Sequence, residues 1–103
     1  MLVDFVLWQY AKVRNMDMAA ALGAVLKKRR LAKGFSQETL AEKADIHPTH
    51  VSLIERCERN PSVNVAKSLA TALNLSLAAL IQEAEELQNT RRRKSTLPPT
   101  FRT

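Results

Sequence analysis

The sequence predicts an all-α domain of five short helices, with no strand required in its core. Start and stop signals for helices recur about every dozen residues in the middle of the chain. Between these signals, apolar residues are spaced three and four positions apart, as on one face of a helix. The chain has 103 residues, of which 46% are hydrophobic and 25% charged. These values suit one compact domain and are too apolar for a disordered protein.

The first two predicted helices precede a short turn. The first runs over residues 19–33, where aliphatic residues share a face, and Gly34 can end it in a left-handed conformation. The second begins after Ser36, whose hydroxyl can cap the free N–H groups of the first turn, and runs to Ala44. Asp45 then ends the second helix.

The third predicted helix covers residues 47–56. His47 precedes a proline and therefore prefers an extended backbone, while Pro48 suits the first position of a helix. Val51 and Ile54 form its buried side, and its other side is polar and exposed. Two short helices joined by a tight turn in this way make a helix-turn-helix, whose second helix can enter the major groove of DNA.

Two further helices complete the predicted domain. A loop at residues 57–61 leads to Ser62, which caps a fourth helix that runs through Leu73. Ser76 caps a fifth helix that fades after Leu87. The apolar residues of the fifth helix recur at spacings of three and four, more than a terminal helix needs to dock on a four-helix core. We therefore predict a dimer interface formed by Leu77, Leu80, Ile81, Ala84 and Leu87.

The two ends of the chain are predicted to lie outside this domain, which we place at residues 19–88. Residues 1–18 form an N-terminal extension whose apolar part fits either a strand or a helix. That part is too short to span a bilayer and has no signal-peptide cleavage site, so we expect a cytoplasmic protein without a membrane partner. Residues 89–103 carry a run of basic residues and two prolines, which predicts a flexible basic tail or, alternatively, an arm that contacts DNA.

Charge and composition favour some function classes and argue against others. The net charge of +6 favours a polyanionic partner, first nucleic acid and second an anionic membrane surface. One cysteine and two histidines cannot form a disulfide framework or the usual four-ligand zinc site. No Gly-rich phosphate loop and no nucleophile with an adjacent base can be identified. We therefore expect no enzymatic activity, no cofactor, no metal and no small-molecule ligand.

A long stretch of the domain has a specific pattern, which reads SQETLAEKADIHPTHVSLIER, then NPSV and LATALNLSLAAL. Over about residues 22–81 the chain resembles the lambda repressor and Cro-like (XRE-type) helix-turn-helix family of bacterial and phage regulators. The resemblance implies the five-helix lambda repressor-like fold and sequence-specific binding of double-stranded DNA through the helix at 47–56. Restriction-modification controllers and biofilm-type repressors of this size both fit the resemblance.

A regulator of this kind is expected to be a homodimeric repressor with a palindromic operator, because one helix-turn-helix buries too little surface for operator-level specificity. The alternative is an antitoxin-like or protein-interaction module in which the helix-turn-helix is an accessory. In that case the apolar N-terminus or the fifth helix would bind a second protein.

The resemblance, together with the exposed face of the third helix, assigns roles to individual residues. Base contacts are predicted at Pro48, Thr49, Ser52 and Leu53. Phosphate contacts are predicted at Gln37, His47, His50, Arg56, Arg59 and Asn60. Ser and Thr bond to several bases, and a Leu or Thr methyl can contact the thymine methyl group. The resemblance also implies an ion pair between Arg30 and Glu55, with a structural role.

Two positions depart from the family pattern, which usually has glycine where this chain has Asp45 and Cys57. Asp tolerates a left-handed backbone moderately well and Cys less so, so the loop at Cys57 is either strained or follows another path. Cys57 is expected to be an inert small residue, with a redox switch as the alternative. His47 and His50 lack a third metal ligand, so we expect them to contact phosphate or water.

Overall fold

Over residues 17–94, which the computed structural model describes with side chains as far as residue 90, the chain forms five α-helices and no strand. We number them α1 (Met18–Ala32), α2 (Gln37–Ala44), α3 (Pro48–Glu55), α4 (Val63–Ala72) and α5 (Leu77–Lys94). The predicted all-α, five-helix fold is therefore confirmed.

Each helix is directly preceded by a residue whose side chain accepts a hydrogen bond from a backbone N–H of the first turn. Oxygen atoms accept this bond, at 2.8–3.1 Å, at Asp17, Ser36, Ser62 and Ser76. At α3 the acceptor is Nδ1 of His47, which lies 3.1 Å from the backbone nitrogen of Thr49. These caps satisfy N–H groups that have no partner within the helix.

The domain begins earlier than predicted. Asp17 caps α1, so this helix starts at Met18 rather than Ala19, and Met18 packs against the core. Met18 therefore belongs to the domain and not to the predicted extension. The other predictions for the extension concern residues 1–16, which lie outside the described residues.

The fifth helix ends later than predicted. It does not fade after Leu87 but continues to Lys94. Residues 88–94 contain neither Gly nor Pro, and most are good helix formers, so nothing in this stretch stops the helix. The first part of the predicted flexible tail is thus helical, and residues 95–103 lie outside the described residues. No single helix among the described residues is long and apolar enough to cross a membrane.

Four helices end with one residue in the left-handed conformation, at Gly34, Asp45, Cys57 and Asn74. At each of these ends two backbone bonds return into the last turn, the arrangement of the Schellman motif. After α3, for example, the N–H of Glu58 donates to the carbonyl of Leu53 at 2.8 Å. Cys57 has φ 63°, so its loop takes the strained path, at a cost of about 1–2 kcal/mol relative to a glycine.

The core is made of aliphatic side chains from all five helices. The largest fully buried ones are Leu26, Leu40, Val51, Ile54, Leu69, Leu73 and Leu80. Helix α2 packs on α3 and α4, while α1 packs on α3 and, most extensively, on α5. Helix α1 therefore connects the helix-turn-helix to α5.

Candidate nucleic-acid interface

A tight turn joins α2 to α3. The N–H of Asp45, at φ 58°, donates to the carbonyl of Glu42, and the N–H of Ile46 donates to the carbonyl of Ala41 at 2.9 Å. These bonds close α2 and turn the chain within three residues, so that Pro48 takes the first position of α3. The result is the helix-turn-helix that the sequence predicted.

The two sides of α3 differ in burial. Val51 and Ile54 are 2% and 1% exposed, respectively, and fix the inner side of the helix in the core. All four residues predicted to contact bases lie away from this inner side. Thr49 is exposed, and partial exposure is found at Pro48, Ser52 and Leu53. The face is short and mixed, with hydroxyl groups and one aliphatic side chain, so it suits hydrogen bonds and methyl contacts in a groove.

The C-terminal end of α3 is held by a buried ion pair. Arg30 of α1 reaches Glu55 with two nitrogens, Nε at 2.7 Å from Oε2 and Nη2 at 3.1 Å from Oε1. The two side chains are 9% and 3% exposed, respectively. Arg30 also donates from Nη1 to the carbonyl of Phe35 at 2.8 Å. This geometry joins the end of α3 to α1 and to the loop that precedes α2.

Gln37 belongs to the same cluster. Its amide Nε2 donates to Oε1 of Glu55 at 3.0 Å, and its side chain is half-buried. One amide hydrogen of Gln37 is therefore used within the protein. The donors that remain for the predicted phosphate contact are its second amide hydrogen and the backbone N–H groups of the first turn of α2 other than that of Thr39, which donates to Ser36.

The other residues predicted to contact phosphate lie near the two ends of α3 or in the loop that follows it. His50 is partly exposed, and the exposed ones are His47, Arg56, Arg59 and Asn60. Because His47 accepts a hydrogen bond at Nδ1, the hydrogen of its neutral ring lies on Nε2, where it can be donated to a phosphate. Among the described side chains, no group of three or more His, Cys, Asp or Glu could hold a metal ion.

Gly23 positions α3 against α1, although it was not among the site residues predicted from the sequence. A Cβ atom at Gly23 of α1 would lie 2.5 Å from the carbonyl oxygen of Ile54 and 3.3 Å from that of Glu55. Helices α1 and α3 therefore approach each other more closely than any side chain at position 23 permits. The signal was present, because a glycine within a helix costs about 1 kcal/mol relative to alanine and usually has a packing reason.

The predicted dimer interface needs a correction. Leu80 and Ala84 are both 0% exposed and belong to the core of a single chain, so they are not available to a partner. The apolar stripe of α5 docks this helix on its own domain, and most closely on α1. Three of the five predicted residues stay partly exposed on α5, namely Leu77, Ile81 and Leu87.

The chain is similar in sequence to known helix-turn-helix proteins. Residues 26–80 match a family model described as helix-turn-helix. The chain is 36% identical over 71 residues to the control protein C.SmaI of Serratia marcescens. This alignment covers 69% of this chain and 84% of C.SmaI. It is 34% identical over 68 residues to the transcriptional regulator SinR of Bacillus licheniformis. That alignment covers 65% of this chain and 61% of SinR. The chain thus spans about three-fifths of the length of SinR.

Among solved structures, the crystal structure of the clp gene regulator ClgR from Corynebacterium glutamicum is similar to this chain with a TM-score of 0.72 and 29% identity. The alignment covers 76% of this chain and 83% of ClgR. It therefore extends over most of the described domain.

Proposed function

Since the chain belongs to the helix-turn-helix family of DNA-binding transcriptional regulators, we propose that it is a homodimeric repressor that binds a palindromic operator through α3 in the major groove. The observation that carries this proposal is the exposed face of α3, with Thr49, Ser52 and Leu53 on a helix whose other side is fixed by the core and by Glu55. A rigid helix that presents hydroxyl and methyl groups suits direct contact with base edges.

Selection of bound duplexes from a random pool by the purified protein tests this proposal directly. We expect a palindromic consensus whose half-sites are about one helical turn apart. A pool that shows no enrichment would contradict the proposal. That result would favour the alternative of a protein-interaction module with an accessory helix-turn-helix.

Replacement of Thr49 or Leu53 by alanine is expected to weaken binding to the selected operator by about 1–3 kcal/mol and binding to random DNA much less, because each side chain is proposed to contact a base. Titrations of a labelled duplex measure both losses. Thr71→Ala and Leu31→Ala are matched controls, since both residues are exposed and lie on other helices. Equal losses on the two DNAs would assign Thr49 and Leu53 to backbone contacts instead.

Replacement of Ile81 by lysine is expected to lower the association constant of the dimer about ten-fold or more. The reason is that it puts a charge into the partly exposed portion of the proposed interface. A two-fold axis there would separate the two α3 helices by about 34 Å, so that they enter successive major grooves. Sedimentation of the wild type, of Ile81→Lys and of Glu85→Lys as a control at an exposed position of α5 measures this effect. A monomeric wild type, or an Ile81→Lys variant that dimerises normally, would exclude this interface.

A further inference from the structure

The loop that follows α3 contains one acidic residue among basic ones. Arg56 directly follows α3, and Arg59 comes three residues later; both are exposed and both are predicted to contact phosphate. Glu58 lies between them in the chain and is also exposed. If the two arginines contact phosphate as predicted, a carboxylate at this position would lie close to the same polyanion and be repelled by it.

Glu58 forms an ion pair with Arg56. The Nε atom of Arg56 lies 3.3 Å from Oε2 of Glu58, and the two side chains are 58% and 54% exposed, respectively. A pair with this exposure contributes little to stability, because water and salt screen it. The fold therefore does not depend on this pair.

The position of Glu58 gives a second indication that the fold does not require its charge. It is the residue after the left-handed position of a Schellman motif, where an apolar side chain usually contacts the last turn of the helix. The corresponding residues after α1, α2 and α4 are Phe35, Ile46 and Leu75, which all pack against the core. Glu58 replaces such a contact with a charge. The local structure therefore gives no reason for an acid at this position.

We propose that Glu58 limits the affinity of the protein for DNA by holding Arg56 in an ion pair that a phosphate must displace. The inference rests on the proposed function, because it concerns the same DNA-facing surface. Phosphate contacts strengthen binding to every sequence alike, whereas base contacts distinguish sequences. An acid that weakens one phosphate contact therefore lowers binding to all DNA by the same factor and leaves the ratio between operator and random DNA unchanged.

The test compares Glu58→Gln, which keeps the shape of the side chain and removes its charge, with Glu85→Gln, which changes the net charge equally at an exposed position of α5. Binding to a labelled duplex of random sequence is measured from 50 to 200 mM salt. Glu58→Gln is expected to bind about two- to five-fold more tightly at a given salt concentration. This gain should shrink as salt rises, because salt screens the exposed ion pair that a phosphate has to displace in the wild type. Glu85→Gln should show neither change.

A double-mutant cycle with Arg56→Gln separates release of the arginine from direct repulsion of DNA by Glu58. The gain from Glu58→Gln is expected to disappear when Arg56 is replaced. A gain that persists without Arg56, or that Glu85→Gln reproduces, would overturn the inference and leave the proposed function intact. A wild type that binds no duplex would overturn both.

Discussion

Replacing Glu55 with alanine is expected to lower the free energy of unfolding by about 3–5 kcal/mol, because it leaves a buried charge without its partner. Arg30 would lose two hydrogen bonds in a place where its side chain is 9% exposed. Gln37 would lose the acceptor of its amide hydrogen. Since small domains are stable by only about 5–15 kcal/mol, this loss is a large part of the total.

Urea unfolding of the wild type and of Glu55→Ala measures the loss, and Glu85→Ala is the control for removal of an exposed glutamate. Replacing both members of the pair, with Arg30→Met and Glu55→Leu, should recover part of the stability, because no charge is then left buried. An unchanged midpoint in Glu55→Ala would show that the pair does not stabilise the fold.

Replacing Gly23 with alanine is expected to destabilise the domain by about 1–3 kcal/mol, although alanine is the better helix former. The added methyl group would lie 2.5 Å from a backbone carbonyl of α3, which has no rotamer by which to move away. Helices α1 and α3 must therefore separate. Because α3 is the proposed recognition helix, the folded Gly23→Ala protein is also expected to bind its operator more weakly.

The other described glycine provides the control for this effect. At Gly34 a Cβ atom meets nothing within 4 Å, but φ is +74°, so Gly34→Ala should cost stability through backbone strain alone. Its DNA affinity, corrected for the unfolded fraction, should match the wild type. Circular dichroism during unfolding and duplex titration of both variants measure the two effects. A Gly23→Ala protein as stable as the wild type would refute the close approach of α1 and α3.

The parts of the fold that the sequence predicted correctly depend on local signals. A serine before an apolar helical pattern marks the start of α2, α4 and α5, and Pro48 marks the start of α3. The start of α1 was missed because Asp17 lies next to a segment interpreted as an extension. The end of α5 was missed because a polar segment can continue a docked helix without packing against a core of its own.

The missed features of the site depend on contacts between distant parts of the chain. Periodicity identifies an apolar stripe on α5 but does not say whether it meets the same chain or another, so Leu80 and Ala84 were assigned to the wrong neighbour. The interaction of Gln37 with Glu55 and the contact of Gly23 with α3 join residues far apart in sequence. The pair of Arg30 and Glu55 was anticipated only through the family resemblance.

Two adjacent residues of α1 contact different partners. Arg29 pairs with Glu83 of α5, and Arg30 pairs with Glu55 of α3. One turn of α1 thus carries contacts to the proposed recognition helix and to the helix proposed to join two copies. A shift of α5 on association would be transmitted to α3, and DNA would act back on α5 in the same way. Dimerisation and operator binding would then be thermodynamically coupled, each changing the equilibrium constant of the other by the same factor.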